Sequence, residues 1–240
     1  SVGLAAAAPD LEITTAEPVT RGCRMYKSAN EIALMKKANE VTLTAYRNVY
    51  GQLESGMEPK DVKALMYAAQ SQLGGTRVWN MALMGVASAY PHGTDQEQRI
   101  EEGQIVLMDC GCSVHGYQSD ISRTFVFGEP DKRQREVWDT VRKGQDIAFE
   151  TAQIGSSAGS VDDAVRAYYE SLGWGPGYQV PGLSHRTGHG IGMDGHEPVN
   201  FVHGEQTVLA PGMCFSNEPG LYDFDTFGDS LDDPIGNIGS

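Results

Sequence analysis

The hydrophobic period of this chain changes from helical to strand-like and then does so a second time, and this constrains the fold more than any other feature. Behind the capping box Ser28-Ala29-Asn30-Glu31, the residues Ile32, Met35, Ala38, Thr42, Ala45 and Val49 recur at helical spacing. Pro59 opens a second helix with Val62, Leu65, Met66, Ala69 and Leu73 on one face, and Gly74-Gly75 stops it. Residues 77–86 and 104–110 then read as strands. Residues 113–127 read as a hairpin whose second strand, ISRTFVF, is rich in β-branched and aromatic residues. The order repeats. A long helix runs from Pro130 to about Gln153 with Val137, Val141 and Ala148 inward, and another, capped by Ser160, ends at Gly173. After a Gly/Pro loop over 174–184, short strands fall at 185–202, 213–218 and 220–224. Two helices, strands, two helices, strands predict an α+β domain with helices over one antiparallel sheet and an internal duplication.

Bulk properties remove several functions. At 240 residues and 40% hydrophobic content, the chain can bury the core of one large domain or two small ones. Its 18 basic and 32 acidic residues leave a net charge of -14, which argues against partners made of nucleic acid or anionic membrane. No apolar run approaches the roughly 20 residues of a membrane span. The start, SVGLAAAAPD, lacks a basic signal-peptide region, and residues 1–26 read as a lead-in from an N-terminal domain that precedes the segment. Cys23, Cys110, Cys112 and Cys214 form no CxxC motif or disulfide framework, so reduced thiols and a cytoplasmic location are expected.

Four residues stand out chemically. Asp109 ends the apolar strand IVLMD, where a carboxylate is costly unless paired or metal-bound. Asp120 opens the next strand, and a hairpin folded around Gly111 and Gly116 can bring both carboxylates to one end. His189 sits in TGHGIG, where three glycines signal close backbone approach or positive φ. Glu218 ends the strand MCFSN just before Pro219-Gly220. Each has a bland alternative as a turn or surface residue. If they converge, three carboxylates and an imidazole suit hard divalent metal ions. His92, His185 and His196 lie in similarly glycine- or proline-flanked stretches and suit substrate positioning or proton transfer.

Together the stretches RMYKSANEIALMKKA, YPHGT, DCGCSVHGYQSDISRTF, HRTGHGIGMDGHEP and SNEPGLY, in this order, resemble the creatinase/aminopeptidase P/prolidase family of pita-bread metallopeptidases. The resemblance runs from about Met25 to Gly228 and implies a pseudo-symmetric pita-bread domain over 27–240, with two metal ions on the inner sheet face. It implies that Asp109 ligates one ion, Asp120 bridges both, and His189 and Glu218 ligate the other. Glu218 would also take a proton from the attacking water. His92, His185 and His196 would bind substrate, with His92 and His196 stabilising the tetrahedral intermediate, and Arg123 would support the site. The implied cofactors are two Mn²⁺ ions, with Co²⁺ or Zn²⁺ as substitutes. The implied reaction is cleavage of Xaa-Pro bonds in peptides with proline at the second position, by a homodimer.

The resemblance breaks near the C-terminus, where the family places its fifth ligand, a glutamate two positions after an arginine. Here the sequence reads FGDSLDDP. Without a gap, Asp232 takes the glutamate position and Ser230 the arginine position; with one, a strand is missing between Gly228 and Asp229, and this second alignment is the preferred expectation. Two other functions fit the same fold: a creatinase-like hydrolase of C–N bonds in small amides, and a non-catalytic binding module.

Overall fold

The computed structural model describes residues 3, 7, 8, 10, 12, 14–90, 92–224, 227–230 and 233–235, the last seven as backbone. The first helix among the described residues is α1 (Glu17–Met25), within the stretch read as a lead-in, followed by α2 (Ala29–Tyr50) and α3 (Pro59–Gln72). The Ser28 cap forms as expected: its hydroxyl accepts from the Glu31 amide, and the Glu31 carboxylate accepts from the Ser28 amide at 2.7 Å. Next come β1 (Thr76–Met84), a 3-10 turn (Gly85–Ala89), β2 (Ile105–Val114), β3 (Tyr117–Gln118) and β4 (Ile121–Val126).

The second half has the same plan. Helices α4 (Lys132–Thr151) and α5 (Ala158–Ser171) precede β5 (Gly188–Gly190), β6 (Glu197–Phe201), β7 (Phe215–Asn217), β8 (Gly220–Asp223), β9 (Phe227–Ser230) and β10 (Asp233–Ile235). Both helices start elsewhere than the sequence suggests. Asp131 and Gln134 form a reciprocal capping box, so α4 begins after Pro130. Ser157, not Ser160, is the N-cap of α5; Ser160 lies in the first turn and its hydroxyl donates to the Ser157 carbonyl at 2.6 Å.

Every strand pair among the described residues is antiparallel, and the hydrogen bonding is divided between the halves. One four-stranded sheet runs β1-β2-β3 with β4 also on β2; the other runs β10-β7-β5-β6; β8 and β9 form a ribbon. Each sheet has its own core. Tyr46, Val49, Val62 and Met66 from α2 and α3 pack on Met84, Val106, Met108 and Ile121. Val141, Val161, Val165 and Tyr169 from α4 and α5 pack on Phe201, Phe215 and Leu221. At roughly 1.5–3 kcal/mol per fully buried large apolar side chain, the two layers rather than helix propensity hold the halves together.

In β9, Gly228 pairs with Tyr222 and Asp229 with Leu221, so 228 and 229 are consecutive residues of one paired strand. Asp233 pairs with Asn217 in β7. Asp232, the candidate fifth ligand, lies outside the described residues.

Candidate metal centre

Asp109 is in the interior of β2 rather than at its end, between Met81 of β1 and Ser122 of β4. The misreading traces to Gly111. It makes no turn: a Cβ there would collide with the Ser119 carbonyl and the Trp79 indole, so glycine is needed for close approach. The reversal falls at His115-Gly116, both with positive φ. Asp120 then immediately precedes β4. Behind this pair the Tyr46 hydroxyl lies 2.8 Å from the Met108 carbonyl oxygen and 2.7 Å from that of Ile121, tying β2 to β4 beside both aspartates.

His189 is the middle residue of β5 and is fully buried. Its glycine neighbours serve close packing, since a Cβ at Gly188 would strike the Ser216 carbonyl and one at Gly190 would sit 2.5 Å from the Pro198 carbonyl oxygen. The imidazole donates its Nδ1–H to the Gly190 carbonyl at 3.0 Å, which leaves Nε2 as the lone-pair nitrogen. That nitrogen lies 3.2 Å from Glu218 Oε1 and 3.5 Å from Asp120 Oδ2. Glu218 follows β7 and is fixed by its amide, which donates to the Thr187 carbonyl at 2.9 Å. Ligand atoms of Asp120, His189 and His196 all lie within 4.8 Å of one another, and the His189 and His196 rings meet edge to face at 4.3 Å.

The electrostatics are those of a site built for a cation. Burial pushes the Asp109 carboxyl up to about 6 and the Glu218 carboxyl up to about 8, the latter aided by the Asp109 charge. Asp120 is raised well above the ordinary range by burial and then by Asp109 and Glu218. Burial lowers His189 to about 3, so its ring is neutral and able to ligate. Two unit charges 4 Å apart at an effective dielectric of 20 repel by about 4 kcal/mol. An ordinary hydrogen bond returns about 1 kcal/mol, so hydrogen bonding alone cannot keep three neighbouring carboxylates ionised. His189 Nε2 and Asp109 Oδ1 are buried without a hydrogen-bond partner. This donor set fits divalent metal.

A cavity of about 430 Å³ opens over the cluster, and His92, His185 and His196 line it together with Asp109 and Glu218. His185 is committed within the chain: its Nδ1 donates to the Arg186 carbonyl at 2.7 Å and its Nε2 accepts from the Tyr222 hydroxyl at 2.9 Å. His92 and His196 are exposed at the cleft. Sequence reasoning passed over Arg186, Tyr178 and Tyr222, which also line it. Arg186 had a signal, standing between His185 and His189.

The chain and its fold match known proteins. The metallopeptidase family M24 matches residues 33–236. The chain belongs to that family. The Xaa-Pro dipeptidase of Pyrococcus horikoshii is 32% identical over 213 residues, covering 88% of this chain and 59% of the relative. Among solved M24-like structures, an Xaa-Pro dipeptidase from Bacillus anthracis is 29% identical with a TM-score of 0.90, covering 98% of this chain and 68% of that one. An X-Pro aminopeptidase from Thermotoga maritima is 27% identical with a TM-score of 0.88, covering 97% and 65%. The chain thus carries the pita-bread fold and spans about 60% of the length of that curated relative. Among the described residues, no helix is long and apolar enough to cross a membrane.

Proposed function

We propose that this M24 domain hydrolyses Xaa-Pro peptide bonds, with Asp109, Asp120, His189 and Glu218 holding two divalent metal ions. The gathering of Asp120 and Glu218 around the buried, unpartnered His189 Nε2, with Asp109 Oδ1 also buried and unpartnered, supports the reading. Mn²⁺ is the first candidate, with Co²⁺ or Zn²⁺ as substitutes, because three of the four donors are carboxylates. Asp232 is the candidate fifth donor under ungapped alignment.

Bound metal supplies Lewis acidity for the scissile carbonyl and acidifies water. The side chains do the rest. Glu218, with its raised affinity for protons, takes the proton of the attacking water and delivers it towards the leaving proline nitrogen. His196, lowered by burial and hence neutral, can donate an N–H to the developing oxyanion, and His92 faces the same cleft. His185 fixes Tyr222 at the cleft wall. With this reading go a proline-containing peptide as substrate, a homodimer and a cytoplasmic location. Three buried free thiols, Cys110, Cys112 and Cys214, support a reducing compartment.

The test is hydrolysis of Ala-Pro with and without Mn²⁺. Metal-dependent release of proline is expected, falling at least about a thousandfold in Asp120→Ala and Glu218→Gln while circular dichroism stays that of the folded chain. Absence of both metal binding and hydrolysis would sink the reading and leave a non-catalytic binding module. Cleavage of small amides but not Ala-Pro would replace it with a creatinase-like hydrolase.

A further inference from the structure

The loop between β5 and β6 is tied from behind by a buried ion pair that the proposed reaction does not use. Glu197 and Lys27 have side chains only 2% and 3% exposed, and Lys27 Nζ donates to Glu197 Oε2 at 2.9 Å. The other carboxylate oxygen, Oε1, accepts from Arg24 Nη2 at 2.6 Å and Nε at 3.1 Å, and from the amides of Met193 at 2.9 Å and Asp194 at 3.2 Å. Arg24 Nη2 also donates to Asp194 Oδ2 at 2.7 Å. The loop is therefore folded round the carboxylate and held shut by it. It packs directly on the pair: a Cβ at Gly192 would stand 2.7 Å from Lys27 Cε and 2.8 Å from Glu197 Oε2.

His196 immediately precedes Glu197, and successive side chains of extended chain point to opposite faces. Glu197, Val199 and Phe201 of β6 are buried, so His196 falls on the other face, in the cleft. Its ring meets His189 edge to face at 4.3 Å. Among the described residues no group hydrogen-bonds that ring, so the backbone of the loop decides where it stands. A buried ion pair adds little net stability over an apolar pair of similar volume. What it supplies is direction: charge-assisted hydrogen bonds fix the carboxylate, and the carboxylate fixes the loop.

We propose that Glu197, held by Lys27 and Arg24, is a positioning residue for His196, so that α1 and the chain just after it serve the cleft. The proposal rests on the reading above, in which His196 donates to the developing oxyanion. Moving such a donor by about 1 Å costs up to about a hundredfold in rate. The ion pair touches neither substrate nor metal donors; it acts through the loop alone.

The experiment is a double-mutant cycle on Ala-Pro hydrolysis by the Mn²⁺-loaded protein. Lys27→Met with Glu197→Leu keeps the position filled and apolar but frees the loop amides. It should lower kcat about ten- to a hundredfold with little change in KM, and lower it no further in a His196→Ala background. Lys27→Met with Glu197→Gln, whose side-chain oxygen still accepts from the Met193 and Asp194 amides, should recover most of the loss. Full activity in the Leu variant, or an equal fall with and without His196, would overturn the proposal and leave the pair a role in the fold alone. If the Leu variant does not fold, Arg24→Gln carries the same cycle: a fall in kcat that disappears in His196→Ala sustains the proposal, and no fall, or one that persists there, overturns it. NMR of the His196 ring, assigned by its loss in His196→Ala, needs neither metal nor turnover. A ring signal that shifts in the Leu or Arg24→Gln variant sustains the positioning role, and an unmoved signal refutes it. If wild type does not cleave Ala-Pro, the Xaa-Pro reading falls, while the ring signal still judges Glu197.

Discussion

Two buried charge clusters meet in the segment 185–189, and one is internally satisfied where the other is open. Around Arg166 and Asp162 of α5, both at most 8% exposed in their side chains, every charge has its partners. Arg166 Nε donates to Asp162 at 2.7 Å, and its other nitrogens donate to the carbonyls of Gly177, Leu183 and His185. Asp162 also accepts from the Thr187 amide and hydroxyl and from the His203 amide. The cluster of Asp109, Asp120, His189 and Glu218 gathers three carboxylates with no cation but the edge of Arg186, and leaves His189 Nε2 and Asp109 Oδ1 unpartnered. The first arrangement stores stability and fixes the 174–187 segment behind the cleft. The second sacrifices stability to hold donors open.

The sharpest way to break this contrast is to mutate one acid in each cluster. Asp162→Ala strips a buried ion pair of one partner and should lower stability by about 3–5 kcal/mol. For a domain of this size that is a fall in Tm of about 10 °C. Asp120→Asn removes a charge from a crowded pocket and should raise the Tm of the metal-free protein or leave it unchanged. If both substitutions destabilise equally, as read by thermal melts in chelator, the distinction between a finished and an open cluster is wrong.

A smaller effect separates the clusters by pH. Glu218 is raised to about 8 in the folded chain, above its ordinary value of 4.5, so the folded state holds a proton that the unfolded state releases. Stability therefore falls as pH rises through that window, by up to about 1.4 kcal/mol per pH unit for each such group. His185 and His189, lowered to about 4 and about 3, act in the opposite sense only below about 6.5. Between pH 6.5 and 8 the metal-free protein should thus lose stability, and Glu218→Gln should flatten the slope. A slope that persists in Glu218→Gln would assign it to another group.

The parts of the molecule visible in its sequence are those fixed by local chemistry. The Ser28 box, the Pro59 start and the glycines around His189 each constrain a few neighbouring residues, so they could be read directly. Asp109 was misplaced to a strand end because Gly111 resembles a turn in sequence, whereas the reason for it, contact with Trp79 and the Ser119 carbonyl, comes from other elements. The same applies to Glu197: it is buried, accepts from Lys27 at 2.9 Å and from Arg24 at 2.6 Å, and so ties α1 and the chain just after it to the segment bearing His196 across some 170 residues. No spacing rule reaches that far, and α1 itself has no buried residue. Arg186 was visible beside His185, but only the cleft gives its charge a meaning.

The central claim is that the open cluster is a divalent metal site. Calorimetric titration of Mn²⁺ into chelator-treated protein at pH 7, in buffers of different ionisation enthalpy, tests it directly. The account predicts saturable binding with net proton release, because Glu218 is still protonated at that pH and must ionise to ligate. It also predicts loss of that binding in Asp120→Asn. No saturable binding, or binding that Asp120→Asn leaves intact, would contradict it.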